Sequence, residues 1–475
     1  MIGQPRYRAI DAGLQSCRMS TFQELDLIPA LQQALDAAGF DTPTPIQALS
    51  LPPILARQDV LAQAPTGSGK TAAFGLGLLQ QLNATQIRTQ ALVLCPTREL
   101  ADQVGKELRR LATAIPNVKI SLFTGGTALA PQLASLAAHA PHVVVGTPGR
   151  VQELLHKQAL DVSGVNVLVL DEADRMLDMG FEKSITDIVR RLPKSRQSLL
   201  FSATWPDGIR ELAKASLRDP VEVAIAGTET RPQVDARFYE VALDSKPAAL
   251  IGLLMQQKPE STVVFCNTKR DVDDVATALG NAGFATAALH GDLEQRDRDE
   301  VLVRFSNRSL SVLVASDVAA RGLDVKDLAC VVNYELPNDP DTYLHRIGRT
   351  ARAGEQGLAL NLVTPREMPR AMQIEETNGE PIRWNRAPLN ARPGDAPKAT
   401  MRTLRIDAGR SDKLRPGDIL GALTGAAGMK AQDIGKIDVF PTRSYVAVRA
   451  SLLKAALAGL QAGKIKGRSF RVRAI

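Results

Sequence analysis

The chain has 475 residues, of which 44% are hydrophobic and 4% aromatic, with a formal net charge of +7. That length exceeds one ordinary core and predicts two or three domains with mostly aliphatic interiors. No run approaches the roughly 18 apolar residues of a membrane span. The N-terminus carries Arg6, Arg8, Asp11 and Arg18 without an apolar signal region, and Cys17, Cys95, Cys266 and Cys330 form no Cys-x-x-Cys pair. These features exclude a membrane role, secretion, a disulfide framework and a zinc site from the reading, and predict a cytoplasmic protein. The charge is uneven. Residues 401–475 hold fifteen Lys or Arg, five Asp and no Glu, a balance of +10, so the remainder sums to −3. A basic tail on a slightly acidic body points to a polyanionic partner.

Residues 1–20 show no clear period and are expected to be a disordered extension, with Met19 as good a start as Met1. From 21 to 223, apolar runs at 60–62, 91–95, 143–145, 167–170 and 198–201 alternate with helical stretches. That rhythm predicts a mostly parallel sheet with helices on both faces. Residues 224–236 read as a linker. The rhythm restarts over 237–385, with runs at 262–265, 311–315 and 330–334 and helices near 269–279 and 293–305. Residues 386–400, rich in Pro, Ala and Asn, read as a flexible connector. The last segment predicts strands at 402–407, 434–440, 444–449 and 470–474 and helices at 416–426 and 451–461, a β-α-β-β-α-β unit.

A phosphate-binding loop stands after the first run: Ala64, Pro65, Thr66, Gly67, Ser68, Gly69, Lys70 and Thr71. Gly67 and Gly69 let the backbone curl so that its N–H groups face phosphate oxygens. Lys70 reaches the β- and γ-phosphates, Thr71 offers a hydroxyl to Mg2+, and a helix over 72–82 adds its positive end. Asp171 and Glu172 follow the hydrophobic run 167–170. A strand end there places Asp171 to hold Mg2+ and Glu172 to orient or deprotonate the attacking water. In the second domain, Arg349 and Arg352 are three residues apart, so a helix would put both on one face. Facing the first domain, they could stabilise charge on the γ-phosphate, and hydrolysis would then require closure of the two domains. His139, His142 and His156 show no metal-ligand spacing.

Read together, these residues resemble a DEAD-box ATP-dependent RNA helicase over about residues 20–370. The resemblance implies an α/β fold, two tandem RecA-like parallel-sheet domains followed by a small α+β RRM-like domain, with ATP and Mg2+ as cofactors. Phe22, Phe40 and the run Thr44-Pro45-Ile46-Gln47 match the adenine-recognising element, implying that Gln47 reads the adenine edge and Phe40 stacks on it. Arg98, Gly125, Gly126, Thr147 and Arg150 match elements that hold the RNA backbone. Ser202-Ala203-Thr204 matches the element coupling hydrolysis to strand separation. His290, Gly291 and Arg298 match an RNA-facing element, and Ser316 to Asp324 one that touches RNA and nucleotide. His345 opens the arginine-finger element. Ser316 stands where the family usually has Thr, and Ala351 where Gly is commoner. Backbone contacts of this kind position RNA without reading bases, and a bent grip on one strand is incompatible with a straight duplex.

The C-terminal segment is similar to the RNA-binding domain of a bacterial DEAD-box subfamily specific for large-subunit ribosomal RNA. That resemblance rests on the runs 415–425, 434–437 and 463–468, and implies binding to a hairpin near the peptidyl-transferase centre, on pre-50S particles. Lys464, Lys466, Arg468, Arg471 and Arg473 are the expected RNA contacts, with Arg405 and Lys436. The two strands comparable to the usual platform, at 402–407 and 444–449, carry only Tyr445 as an aromatic, so ordinary base stacking on the sheet is not expected. Without a heptad or long apolar face, a monomer is expected. A general RNA unwinder and an ATP-gated RNA clamp remain as alternatives.

Overall fold

A computed structural model of the chain describes residues 21–475 apart from 66, 206, 226–233, 321–327, 351–356, 391–395 and 426. The expected disordered extension 1–20 lies outside the described residues. The chain divides into two compact units, Met1–Glu229 and Thr230–Ile475.

The first unit is built on β1 (Val60–Gln63), β2 (Ala91–Leu94), β3 (Ile120–Phe123), β4 (Val143–Gly146), β5 (Val167–Leu170), β6 (Gln197–Ser202) and β7 (Val221–Ala224). Their order is β3-β4-β2-β5-β6-β1-β7, and every pairing is parallel. Alternate residues feed two cores. Val60, Ala62, Val167 and Val169 pack on one face, and Leu61, Leu168 and Leu170 on the other. A parallel sheet covered on both faces produces the continuous apolar runs seen in the sequence. The helices follow their own period. In Arg98–Leu111, Thr97 caps the start by accepting from Leu100 N, and Leu100, Ala101, Val104, Leu108 and Leu111 form the buried stripe.

The second unit contains β8 (Val234–Glu240), β9 (Thr262–Cys266), β10 (Thr286–Leu289), β11 (Val312–Ser316), β12 (Cys330–Asn333), β13 (Gly357–Val363) and β14 (Trp384–Asn385). They form a second all-parallel sheet, ordered β10-β11-β9-β12-β13-β8-β14. The expected linker 224–236 is shorter than the sequence suggested, because β7 reaches Ala224 and β8 starts at Val234. The connector 386–400 is likewise not free along its length. Ala387 and Ala396 pack on the second sheet's core, and a Cβ on Gly252 would meet the Pro388 carbonyl oxygen at 2.1 Å.

The C-terminal unit has β15 (Met401–Ile406), β16 (Ile434–Val439), β17 (Ser444–Arg449) and β18 (Val472–Ala474) in an antiparallel sheet ordered β16-β17-β15-β18. Helices Pro416–Gly425 and Leu453–Ala462 cover one face, over a core that includes Leu404, Ile406, Val446, Val448 and Val472. The other face rests on the preceding domain. Glu300, in helix Gln295–Ser306, accepts from Arg405 Nη1 at 3.1 Å and from the Tyr445 hydroxyl at 3.4 Å. Thr403 Oγ1 donates to Ser309 Oγ at 2.7 Å and accepts from Asn307 Nδ2 at 3.0 Å.

A buried ion pair ties together several ends of the second sheet. Lys246 Nζ lies 2.7 Å from Glu367 Oε2 and donates to the Tyr334 carbonyl at 2.7 Å. Glu367 also accepts from Thr364 and from Leu336 N. Burial alone would push the Glu367 carboxyl up, but the Lys246 bond and charge and the Thr364 bonds outweigh it and leave it below its ordinary value. A lowered carboxyl adds stability above the unfolded pKa, about 4.3, and loses it as pH falls through the folded value. Lys246→Met should therefore destabilise the second unit by about 3–5 kcal/mol at neutral pH. In urea titrations the variant and native midpoints should converge in acid, and an equal gap at neutral and acid pH would refute the assignment.

Candidate ATP site and RNA-binding surfaces

In the first sheet β5, β6 and β1 are neighbours, so the loops after them meet at one edge. After β1 the loop turns through Gly67 at φ 86° and Gly69 at φ 98°, both in the left-handed region that favours glycine. Helix Lys70–Gln80 starts directly afterwards, two residues earlier than expected, with Gly69 as its N-cap. Gln47 is 1% exposed. Its Oε1 accepts from Thr44 N at 2.8 Å, and its Nε2 donates to the Gly69 carbonyl at 3.1 Å. The presumed adenine reader is thus tied to the phosphate loop. Phe40 is half-buried, edge-on to Phe22 at 6.1 Å, with the Arg110 guanidinium 5.2 Å from its ring centroid.

Lys70 is buried and donates to the Ala64 carbonyl at 2.9 Å. Asp171 and Glu172 are 3% and 4% exposed. Burial pushes the Asp171 carboxyl up, with Lys70 opposing and the Glu172 charge adding to it. Asp171 Oδ1 and Ser68 Oγ are buried without a hydrogen-bond partner. Two such atoms beside a phosphate loop suit a site completed by a ligand. Among the described residues no three His, Cys, Asp or Glu cluster as a metal cage. The unpartnered Asp171 oxygen fits Mg2+, which keeps waters and is held by one or two protein groups together with phosphates.

The segment expected to couple hydrolysis to strand separation is tied to Asp174. Asp174 Oδ2 accepts from Ala203 N, Thr204 N and Thr204 Oγ1 at 3.0, 3.0 and 3.2 Å, while Ser202 Oγ donates to the Thr204 carbonyl at 2.6 Å. The sequence reading gave Asp174 no task. Its place beside Asp171 and Glu172 was the available signal.

The elements expected to grip RNA follow β2, β3 and β4. Gly125 N donates to Thr147 Oγ1 at 3.2 Å, Arg150 Nη2 donates to the Thr127 carbonyl at 2.9 Å, and Arg98 opens its helix. In the second unit, His290 lies after β10 with Nε2 3.1 Å from Asp273 Oδ1, and Ser316 ends β11. Gly291 is exposed, and Arg298 is half-buried on helix Gln295–Ser306. Sequence reasoning missed Arg346, which is 2% exposed. Its guanidinium bonds Asp317, Asn333, Asn267 and the Glu335 carbonyl, fastening the ends of three strands to helix Pro340–Ile347.

Some expectations change. The helix carrying His345 ends at Ile347, so Arg349 lies in the following turn rather than on a helical face. There the chain turns to pair with Leu328, whose N donates to the Arg349 carbonyl at 3.2 Å. Thr66, Asp324, Ala351 and Arg352 lie outside the described residues. Arg405 does not face solvent. It is held by Glu300 and Asp407, because its side of the sheet is the one that docks. Lys436 donates to Ser306 Oγ at 3.2 Å across the same seam, and Arg473 lies 3.7 Å from Asp407. Lys464, Lys466, Arg468 and Arg471 are exposed.

Three family models match in tandem: DEAD/DEAH box helicase over residues 44–212, helicase conserved C-terminal domain over 245–354, and DbpA RNA binding domain over 403–474. The chain is 52% identical over 456 residues to the ATP-dependent RNA helicase DbpA of Escherichia coli K12, covering 96% of this chain and 99% of that protein. The chain belongs to the DbpA-type DEAD-box helicases. It is an ATP-dependent RNA helicase with an RNA-binding domain. A DEAD-box ATP-dependent RNA helicase CshA from Geobacillus kaustophilus is 45% identical over 360 residues, 76% of this chain and 77% of that one. Saccharomyces cerevisiae Dbp5 bound to RNA and ADP BeF3 superposes with a TM-score of 0.68 at 31% identity, over 78% of this chain and 96% of that chain. Mss116p bound to ssRNA and AMP-PNP gives 0.70 at 26% identity, over 86% and 84%.

A Cβ at Gly69 would stand 2.5 Å from Gln47 Nε2, at a φ that disfavours any L side chain. Gly69→Ala should weaken ADP binding by about tenfold, the scale of roughly 1–3 kcal/mol of strain. A fluorescent-nucleotide titration reads this, and unchanged affinity would show that the loop and Gln47 move apart freely.

Proposed function

We propose that this helicase uses ATP and Mg2+ to remodel large-subunit (23S) ribosomal RNA locally during assembly of the 50S subunit, as a cytoplasmic monomer. The observation that carries the reading is the C-terminal domain. It matches the DbpA RNA-binding model, and its exposed cations include Lys464, Lys466, Arg468 and Arg471, which can meet a phosphate backbone. The resemblance of that domain supplies the ribosomal hairpin near the peptidyl-transferase centre as the target.

The chain's own groups divide the work at the nucleotide. The backbone from Ala64 to Thr71 cradles the phosphates, Lys70 adds charge, and Gln47 and Phe40 select the adenine. Thr71 and Asp171 would hold Mg2+, which when bound neutralises phosphate charge. Glu172 orients the attacking water and takes its proton. The part given to Arg349 and Arg352, stabilising charge on the γ-phosphate, follows from the family pattern, as does that of Asp324 at the nucleotide. Ser202, Thr204 and His345 couple hydrolysis to RNA. Arg98, Gly125, Gly126, Thr147, Arg150, His290, Gly291, Arg298 and Ser316 hold one RNA strand by its backbone.

The test is ATPase rate against RNA identity at fixed salt. A large-subunit fragment carrying the peptidyl-transferase hairpin should stimulate strongly, while a scrambled hairpin and poly(A) should not. Equal stimulation by all three would leave a general RNA unwinder. Lys70→Ala should abolish hydrolysis and keep hairpin affinity. Lys464→Ala, Lys466→Ala and Arg468→Ala should each lower the slope of log affinity against log salt by about one unit where a phosphate contact is lost. An unchanged slope would remove that residue from the RNA surface.

A further inference from the structure

The reading above leaves Arg175 without a task, yet the structure places it against the proposed water-activating carboxylate. Its Nη1 donates to Glu172 Oε2 at 2.9 Å, and the two side chains are 8% and 6% exposed. Glu172 itself is at φ 52°, a left-handed conformation that is uncommon for a residue with a side chain. Such backbone persists only where its surroundings over-determine it. Two contacts do so here. Asp174 anchors the start of helix Ala173–Asp178 to Ala203 and Thr204, and its Oδ1 accepts from Arg175 N at 2.9 Å. One turn later, Arg175 reaches back to Glu172.

A guanidinium buried this far gains little stability over an apolar residue of similar volume. Its presence beside a reacting carboxylate therefore calls for another reason. A general base works only when its oxygen is held within hydrogen-bond reach of the proton it takes. We propose that Arg175 is a positioning residue for ATP hydrolysis, holding the Glu172 carboxylate in the orientation that meets the attacking water. This rests on Glu172 having that part in the reaction. Asp174 fixes the helix to the coupling segment, and Arg175 fixes Glu172 to the helix. The aim of the carboxylate thus follows the position of Ser202–Thr204.

The experiment uses the full chain with Arg175→Met, Arg175→Lys and Glu172→Gln. Four readouts are taken: RNA-stimulated kcat, KM for ATP, affinity for single-stranded RNA with a non-hydrolysable ATP analogue, and melting temperature. Arg175→Met should lower kcat by about tenfold or more, with KM and RNA clamping unchanged and the melting temperature lowered, as removal of one partner of a buried ion pair requires. Arg175→Lys, which keeps a cationic donor, should recover most of the rate. Glu172→Gln should abolish hydrolysis and keep clamping. Retained hydrolysis in Glu172→Gln would overturn the part given to Glu172. Full hydrolysis in Arg175→Met beside an inactive Glu172→Gln would overturn the Arg175 inference alone. A faster Arg175→Met would also overturn it, since the arginine would then restrain the base. Loss of RNA clamping together with kcat would reduce Arg175 to a fold element. Should Arg175→Met not fold, Arg175→Gln is read against the same outcomes.

Discussion

All strands of each large sheet run in one direction, and that constraint places nearly everything else. In a parallel sheet every strand ends on the same edge, so the loops that follow the strands share one crevice. Neighbouring strands lie about 4.8 Å apart. The order β5-β6-β1 therefore brings Asp171 and Glu172, Ser202 to Thr204, and the phosphate loop side by side, although they are far apart in sequence. The order β3-β4-β2 does the same for Gly125, Thr147 and Arg98. One half of the edge thus gathers the groups proposed to meet the nucleotide and the other half those proposed to meet RNA, and the two halves meet where β2 lies beside β5.

Concentrating charge at that edge has an electrostatic cost. Asp171, Glu172, Asp174 and Lys70 are all nearly dry. A buried carboxylate is tolerated when it is paired or hydrogen-bonded. Asp174 meets the condition with backbone N–H groups and Thr204, and Glu172 with Arg175. Asp171 keeps one oxygen without a protein partner. Asp174 and Glu172 are thus compensated, and the atom left uncompensated is the Asp171 oxygen proposed to receive a cation.

Much of this was legible in the sequence. The runs at 60–62, 143–145 and 167–170 are strands because both sheet faces are covered, which makes every residue apolar and the signal continuous. β3, β7, β8, β10 and β13 were missed, and for β3 and β10 the reason is the opposite one. Each has only two of its four residues or fewer fully buried, as expected at the outer positions they occupy, so their apolar signal is diluted. β14 has two residues and both are exposed, which leaves no pattern to read. Arg349 was placed on a helix because spacing alone cannot show that Thr350 leaves to bond the Leu328 carbonyl at 2.6 Å.

The C-terminal domain shows most clearly where pattern stops informing. Leu404, Ile406, Val446 and Val448 alternate along its strands and pack on one face, under the helices. The opposite face reads as polar, and polar residues serve water, RNA or another domain equally well. Glu300 decides among these, and it lies in a helix that the sequence gives no reason to connect with Arg405 or Tyr445. Once that helix is in place, the sheet surface that RRM-like domains commonly offer to single strands is occupied by protein. Arg405 and Lys436 contribute to holding the domain. Lys464, Lys466, Arg468 and Arg471, among the cations left exposed, lie between the second helix and β18. The docking therefore sorts a charge that the sequence shows only as a sum, engaging Arg405 and Lys436 at the protein seam while Lys464 and Arg471 stay in solvent.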